Sequence, residues 1–219
     1  MKHDFRYISK RSNEVKDAFR NVLEMITDVQ DEVRNHFTFR FDVVGSYNMN
    51  MITYDAKSNI GYDFDFNIEV NDEDEDYSAK EIKTILMDTF KKIGSRYGYD
   101  KIENSTRVIT LKKVNHFSSS IEHSCDFAIV YNYIEDGQKQ QQYIHFNKKQ
   151  QSYTWNKQGK GFYRLPEKLD WIKNNNLKNE FRDLYLYNKN TNTNENNHSR
   201  QIRAITAHQI CQQYGFYNK

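Results

Sequence analysis

From Tyr62 to Val70 the chain alternates strictly. Phe64, Phe66, Ile68 and Val70 take one parity, and Asp63, Asp65, Asn67 and Glu69 take the other. That is the period of a β-strand with one buried and one polar face, so any fold for this chain must contain a sheet with an open side. On that side two carboxylates stand one residue apart. Ionised groups are costly to bury without a partner of opposite charge, and a divalent metal is the simplest neutralising partner. The acidic side of an exposed edge strand would give the same pattern, so the rest of the chain has to separate the two readings.

A third carboxylate lies in Ser124-Cys125-Asp126-Phe127-Ala128-Ile129-Val130. Both parities are mostly apolar here, which predicts a strand buried on both faces, and Asp126 within it needs a partner. Three carboxylates on adjacent strands can hold two Mg2+ ions roughly 3.5–4 Å apart, one activating an attacking hydroxyl and one stabilising a leaving pyrophosphate. Magnesium favours such hard oxygen ligands and keeps waters and phosphate oxygens in its shell.

Upstream, residues 11–36 read as a long helix, with Val15, Phe19, Val22, Ile26, Val29 and Val33 forming one apolar stripe behind a Ser12 or Asn13 cap. Thr38–Val44 reads as a strand that runs into Gly45-Ser46. Such a turn lets backbone amides approach a phosphate closely. Residues 53–61 are polar and irregular and read as a loop. The acidic run Asp72–Asp76 reads as a solvated loop before a helix capped by Ser78 and Glu81, and Gly94 and Gly98 help to end that helix.

Residues 105–114 read as a strand. Arg107, His116 and His123 carry no assigned chemistry, because Mg2+ prefers oxygen to imidazole. Asp136-Gly137 marks a hairpin into a strand over Gln140–Phe146. After it come Lys148, Lys149, Tyr153 and Trp155, a set of lysines and aromatics suited to a triphosphate and a stacked base. Pro166 is expected at the start of a helix. A second helix carries Leu177, Phe181, Leu184 and Tyr185, residues 188–197 form a polar linker, and a last helix starts at Ser199. His198, Arg200 and Arg203 could touch a nucleotide or acceptor, and a polar helix face explains them equally well.

The series Val43-Val44-Gly45-Ser46, then Gly61-Tyr62-Asp63-Phe64-Asp65-Phe66-Asn67-Ile68, then Cys125-Asp126-Phe127-Ala128-Ile129 resembles the polymerase-β nucleotidyltransferase superfamily. Its spacing looks more like the cyclic GMP-AMP synthase and cyclic-oligonucleotide synthase branch, and like small bacterial nucleotidyltransferase-domain proteins. The resemblance spans residues 38 to 131. It implies an α+β core, a twisted mixed sheet flanked by helices, over residues 1–160, with a short helical part over 161–219 packed on it. It also implies Gly45 and Ser46 at the nucleotide phosphates, and Asp63, Asp65 and Asp126 as catalytic metal ligands, with Asp126 helping to activate the acceptor. Tyr47 and Asn48 follow the Gly-Ser where many relatives carry a basic residue, which leaves Lys148 and Lys149, with Tyr153, as candidates for the phosphate clamp.

The expected activity is therefore transfer of a nucleoside monophosphate from an NTP to a hydroxyl, with Mg2+ (or Mn2+) as cofactor and pyrophosphate released. The acceptor is open among a small molecule, an RNA end, a protein hydroxyl and a second nucleotide. A catalytically silent nucleotide-binding module of a defence or toxin-antitoxin pair, and a cyclic-oligonucleotide synthase, are the alternatives. With 32 basic against 30 acidic residues, net +2, there is no polycation to wrap duplex DNA. No apolar run is long enough for a membrane span, and the two cysteines, in apolar contexts, suit reduced thiols in the cytoplasm.

Overall fold

A computed structural model describes residues 3–58, 60–72, 74–194 and 199–217. In chain order the strands are β1 (Phe5–Tyr7), β2 (Thr38–Val44), β3 (Thr53–Asp55), β4 (Tyr62–Asn71), β5 (Tyr99–Asn104), β6 (Val108–Asn115), β7 (Ser120–Glu135), β8 (Gln138–Asn147) and β9 (Ser152–Lys157). The helices are α1 (Asn13–Val33), α2 (Gly45–Asn48), α3 (Ala79–Gly94), α4 (Lys160–Asn174), α5 (Lys178–Thr191) and α6 (Ser199–Gln213). The chain divides into two compact units. One comprises Tyr7–Tyr54 and Asn59–Gln158, and the other takes the N-terminal residues to Arg6, Asp55–Ser58 and the chain from Gly159.

The larger unit is a mixed α+β layer built on a seven-stranded sheet of order β2-β4-β7-β6-β5, with β8 pairing the distal half of β7 and β9 pairing β8. β4 and β7 run parallel; β2–β4 and β6–β7 are antiparallel. One core lies between the sheet and α1 and α3. It joins Val15, Met25 and Val29 of α1 and Ile82, Leu86 and Phe90 of α3 to Phe64, Phe66, Leu111, Phe127 and Ile144 of the sheet. Both helices start as their sequences require. The Ser12 side chain accepts from Val15 N, and Ser78 and Glu81 form a reciprocal capping box. Sixteen residues of α3 form part of the crossover that a parallel strand pair demands.

The alternation of β4 is observed directly. Tyr62, Phe64, Phe66, Ile68 and Val70 are buried and Asp63, Asp65, Asn67 and Glu69 are half-exposed. For β7 the expectation of burial on both faces holds at Val130 but not before it: Cys125, Phe127 and Ile129 are buried on one parity, while on the other Ser124, Asp126 and Ala128 are half-exposed and only Val130 is buried. Small and apolar Ala128 lines the open face without being covered. Residues 53–61 are not all loop, since Thr53–Asp55 forms β3, which pairs with β1 in a separate two-stranded sheet. The strand expected at 105–114 begins at Val108, and an unforeseen β5 precedes it. β5 reads as polar because, of Tyr99-Asp100-Lys101-Ile102-Glu103-Asn104, only Tyr99 is buried and only Ile102 joins it on the core side.

In the smaller unit α4, α5 and α6 pack around Leu165, Ile172, Phe181, Tyr185, Ile202 and Ile210. Pro166 is not at a helix start: α4 begins at Lys160 and carries the proline inside, so the Gly159-Lys160-Gly161 stretch, which reads as loop, already belongs to the helix and its cap. The N-terminal segment is tied in by Asn190, whose side chain accepts from Phe5 N at 2.6 Å and donates to Phe5 O at 3.1 Å. Asp55 is held by four hydrogen bonds, from His3, Asp4 N, Lys57 N and Ser58. Cys125 and Cys211 are both free and buried, and no helix among the described residues is long and apolar enough to cross a membrane.

His123 is a core histidine, 3% exposed, with its Nε2 2.9 Å from the Tyr99 hydroxyl and its ring stacked on Tyr62. Burial, with a smaller contribution from the Lys113 charge, lowers its pKa to about 4. The folded pKa is thus below the ordinary value of 6.5, and between the two the unfolded chain binds the extra proton. The contribution is fully present above pH 6.5 and is lost as pH falls toward 4, to a total on the order of 3 kcal/mol. Urea unfolding at pH 7, 5.5 and 4.5 is expected to show this loss, and His123→Gln to flatten the slope relative to the parent.

Candidate active site

The open face of the larger sheet is ordered by register. Val44 lies opposite Asp65 on β2–β4, Asp65 opposite Asp126 on β4–β7, Asp126 opposite Thr110 on β6–β7, and Thr110 opposite Glu103 on β5–β6. The neighbouring row runs Asp63, Ser124, Lys112, Lys101. Cα atoms on adjacent strands are about 5 Å apart and alternate residues along one strand about 7 Å, so the three aspartates form a compact triangle on one face.

Each carboxylate meets a different neighbour. Ser124 Oγ donates a very short hydrogen bond to Asp63 Oδ1. Thr110 Oγ1 donates to Asp126 Oδ1 at 2.6 Å. Asp65 faces Gly45, where β2 turns into α2. Gly45 has φ +69°, and a Cβ built there would overlap the Asp65 carboxylate. Glycine is required both by the left-handed backbone and by this close approach. Gly61, which opens the β4 segment, is likewise pressed against the backbone of Ile121 and Glu122.

Burial raises the Asp126 pKa to about 6; the Thr110 hydrogen bond and the Lys112 charge pull it down, and the Asp63 charge pushes it further up. In this conformation no three acidic, histidine or cysteine side chains among the described residues close into a metal cage, because Asp63 and Asp126 are turned onto hydroxyls of neighbouring strands. The donor set still fits a hard divalent cation: it is oxygen only, three carboxylates with Ser124 and Thr110 beside them, and the Asp65 carboxylate lies in the space that a side chain at position 45 would fill.

Ser46 sits in α2, its carbonyl accepting from Met51 N at 2.8 Å. Tyr47, at the position where a basic residue was sought, stacks on Phe19 at 4.0 Å between ring centres and edges onto Phe64. The Lys10 ammonium lies 5.9 Å from its ring centre, so a basic residue from the turn before α1 does reach this corner. The structure does not bring Lys148, Lys149 and Tyr153 to the carboxylates. The two lysines occupy the β8–β9 turn, and Tyr153 packs on the covered core side, stacked on Phe146 at 4.5 Å with its hydroxyl accepting from Asn104. Arg107 lies over the Tyr143 ring, 4.4 Å from its centre, and His116 meets Asp100 at 2.9 Å. Arg200 lies over Phe162, and His198 falls outside the described residues. Of the acidic run, Asp72 accepts from Asp76 N and Tyr77 N before α3.

Sequence reading alone missed Thr110, Ser124, Lys112 and Lys10. Parity within Val108–Asn115 already puts Thr110 and Lys112 on one face, but only the register shows that this is the face of Asp126.

The fold is similar to those of solved structures. The E. coli MS115-1 CdnC structure with ATP is 14% identical, covers 96% of this chain and 64% of its own, and superposes with a TM-score of 0.52. A variant of the Vibrio cholerae di-nucleotide cyclase (DncV), with ATP and GTP among its ligands, is 11% identical, covers 90% of this chain and 54% of its own, and gives 0.54. The chain carries the polymerase-β nucleotidyltransferase fold. It spans less than two thirds of the length of either neighbour. No family model and no curated protein matches the sequence. In this nucleotidyltransferase fold, the Gly45 turn and the carboxylate triangle occupy one corner of the sheet.

Gly45→Ala is expected to destabilise the protein by about 1–3 kcal/mol through positive φ and displacement of the Asp65 carboxylate. Urea unfolding of the two proteins at pH 7 measures it.

Proposed function

We propose that the chain is a metal-dependent nucleotidyltransferase that transfers a nucleoside monophosphate from an NTP to a hydroxyl acceptor. The observation that carries this reading is the alignment of Asp65 and Asp126 across the parallel β4–β7 pair, with Asp63 on the same face and Gly45 pressed against Asp65. In the reaction the acceptor oxygen forms a bond to the α-phosphorus, the bond from that phosphorus to the bridging oxygen breaks, pyrophosphate leaves, and the acceptor proton passes to a nearby base or water.

Asp63, Asp65 and Asp126 would hold two Mg2+ ions, which supply charge stabilisation for the attacking and leaving oxygens. The chain's own residues do the positioning. Gly45 and Ser46 present backbone to the triphosphate at the β2 side, and Lys10 adds a positive charge beside that turn. Thr110 and Ser124 donate to the Asp126 and Asp63 carboxylates, which would turn from these hydroxyls toward the metals. Lys148 and Lys149 remain a proposal as a clamp for the distal phosphates, with no contact to the carboxylates to support it.

A cyclic-oligonucleotide product is a second reading, supported by the fold shared with the Vibrio cholerae di-nucleotide cyclase. Chromatography of labelled ATP and GTP products, with and without phosphatase, separates it from transfer to another acceptor, since a cyclic product resists phosphatase. For the main reading, pyrophosphate release with Mg2+ or Mn2+, each NTP and an acceptor pool including total tRNA is the test. Asp63→Asn, Asp65→Asn and Asp126→Asn are each expected to lower it by at least about a thousandfold, with thermal unfolding showing a folded protein. Release that survives all three substitutions, or that EDTA leaves unchanged, overturns the assignment.

A further inference from the structure

On the side of Asp126 away from Gly45, the open face changes character. Lys101 and Lys112 stand directly opposite each other on β5 and β6, and Lys112 is in turn opposite Ser124 and, through it, in the row of Asp63. Like charges directly opposite across an antiparallel pair are destabilising, so two lysines abreast on a face mark a place that gains from an anion. Lys112 is half-buried, its side chain 25% exposed, and its Nζ is held by Glu103 Oε1 at 2.6 Å. Its charge is close enough to act on Asp126. Among the described residues no carboxylate pairs with Lys101. β5 shifts register between Tyr99 and Lys101, the kind of irregularity that re-aims side chains at a sheet edge.

Resting on the nucleotidyltransferase reading, we infer that Lys101 and Lys112 form an anion subsite beside Asp126 that binds a phosphoryl group carried by the acceptor. The donor triphosphate takes the Gly45–Ser46 side of the sheet. The hydroxyl to be modified must then reach Asp126 from the β6 side, over Thr110 and Ser124, and whatever the acceptor carries next to that hydroxyl lies over the two lysines. A phosphate there gains two ammonium partners, whereas a neutral alcohol or sugar leaves them facing each other. Glu103 stands in for that phosphate in the free protein, since its carboxylate already occupies Lys112.

The test is calorimetric. The protein is first titrated with a non-hydrolysable ATP analogue and Mn2+, and the saturated complex is then titrated with adenosine and, separately, with AMP. AMP is expected to bind at least about tenfold more tightly than adenosine. In K101Q/K112Q that ratio is expected to fall to about one, and in E103Q, which releases Lys112, to rise by a further two- to threefold. The affinity for the ATP analogue is expected to stay within about twofold in all three proteins. Repeating the titration with a short oligonucleotide ending in a 3′-hydroxyl, whose last nucleoside carries a phosphodiester in place of the AMP phosphate, shows by the tighter binder whether the phosphate belongs to a mononucleotide or to a nucleic-acid end. If AMP and adenosine bind alike, or if the ratio survives in K101Q/K112Q, the lysines only keep an edge strand soluble and the inference falls. Failure of the ATP analogue to bind the parent protein in the first titration overturns the nucleotidyltransferase reading itself.

Discussion

The parallel register of β4 on β7 is the constraint on which the rest depends. Side chains alternate with a period of two, so a slip by one residue would turn every carboxylate of one strand into the core and every phenylalanine out of it. The register is fixed from the apolar side. Phe66 stacks on Phe127 at 5.2 Å between ring centres, and Phe127 on Phe90 of α3 at 4.3 Å. With those rings seated, Asp65 and Asp126 have nowhere to be but abreast on the other face. The hydrophobic packing of the covered side thus does the positioning for the chemistry of the open side, and it does so on strands, which are more rigid than loops.

That arrangement carries an electrostatic cost. Burial raises the Asp126 pKa to about 6, and the neighbouring Asp63 charge adds to it against the Thr110 hydrogen bond and the Lys112 charge. Packing would be served as well by asparagine, serine or alanine at these positions. Under the proposed function, a cation between these acids would offset the cost of keeping Asp126 charged. The same logic applies at Gly45, where the backbone adopts a left-handed conformation in order to lie against Asp65.

Much of this was legible in the sequence, for stated reasons. The period-two alternation of β4, the apolar stripe of α1 and the capping box of α3 are local signals, and each survives unchanged in the structure. What was not legible depends on pairing. β5 offers one buried residue, Tyr99, in a run of Asp, Lys, Glu and Asn, because an edge strand half open to solvent needs few apolar side chains. Ala128 and Val130 made the Asp126 strand look covered on both faces, although Ala128 is half-exposed. Tyr47 breaks the expected basic position after Gly-Ser because it serves the aromatic cluster with Phe19 and Phe64. Tyr153 and its neighbouring lysines form a plausible base-and-phosphate set as a string of letters, but the β8–β9 register puts the ring against the core.

The two flanks of Asp126 differ in kind, and this bears on how the site would distinguish its substrates. Toward β2 the face is backbone: a glycine without a side chain, then a one-turn helix. Backbone amides accept any polyphosphate in roughly the same way, so this flank selects a phosphate chain and says little about what the chain is attached to. Toward β6 and β5 the face is made of side chains, a hydroxyl from Thr110, a carboxylate from Glu103 and two ammonium groups. Of these positions Lys101 and Glu103 are exposed, and they can change without disturbing the core beneath, since Leu111 and Ile102 carry the packing on the other parity. Under the proposed nucleotidyl transfer, such a face would hold its donor chemistry fixed through backbone geometry while leaving acceptor choice to a few substitutable residues on β5 and β6.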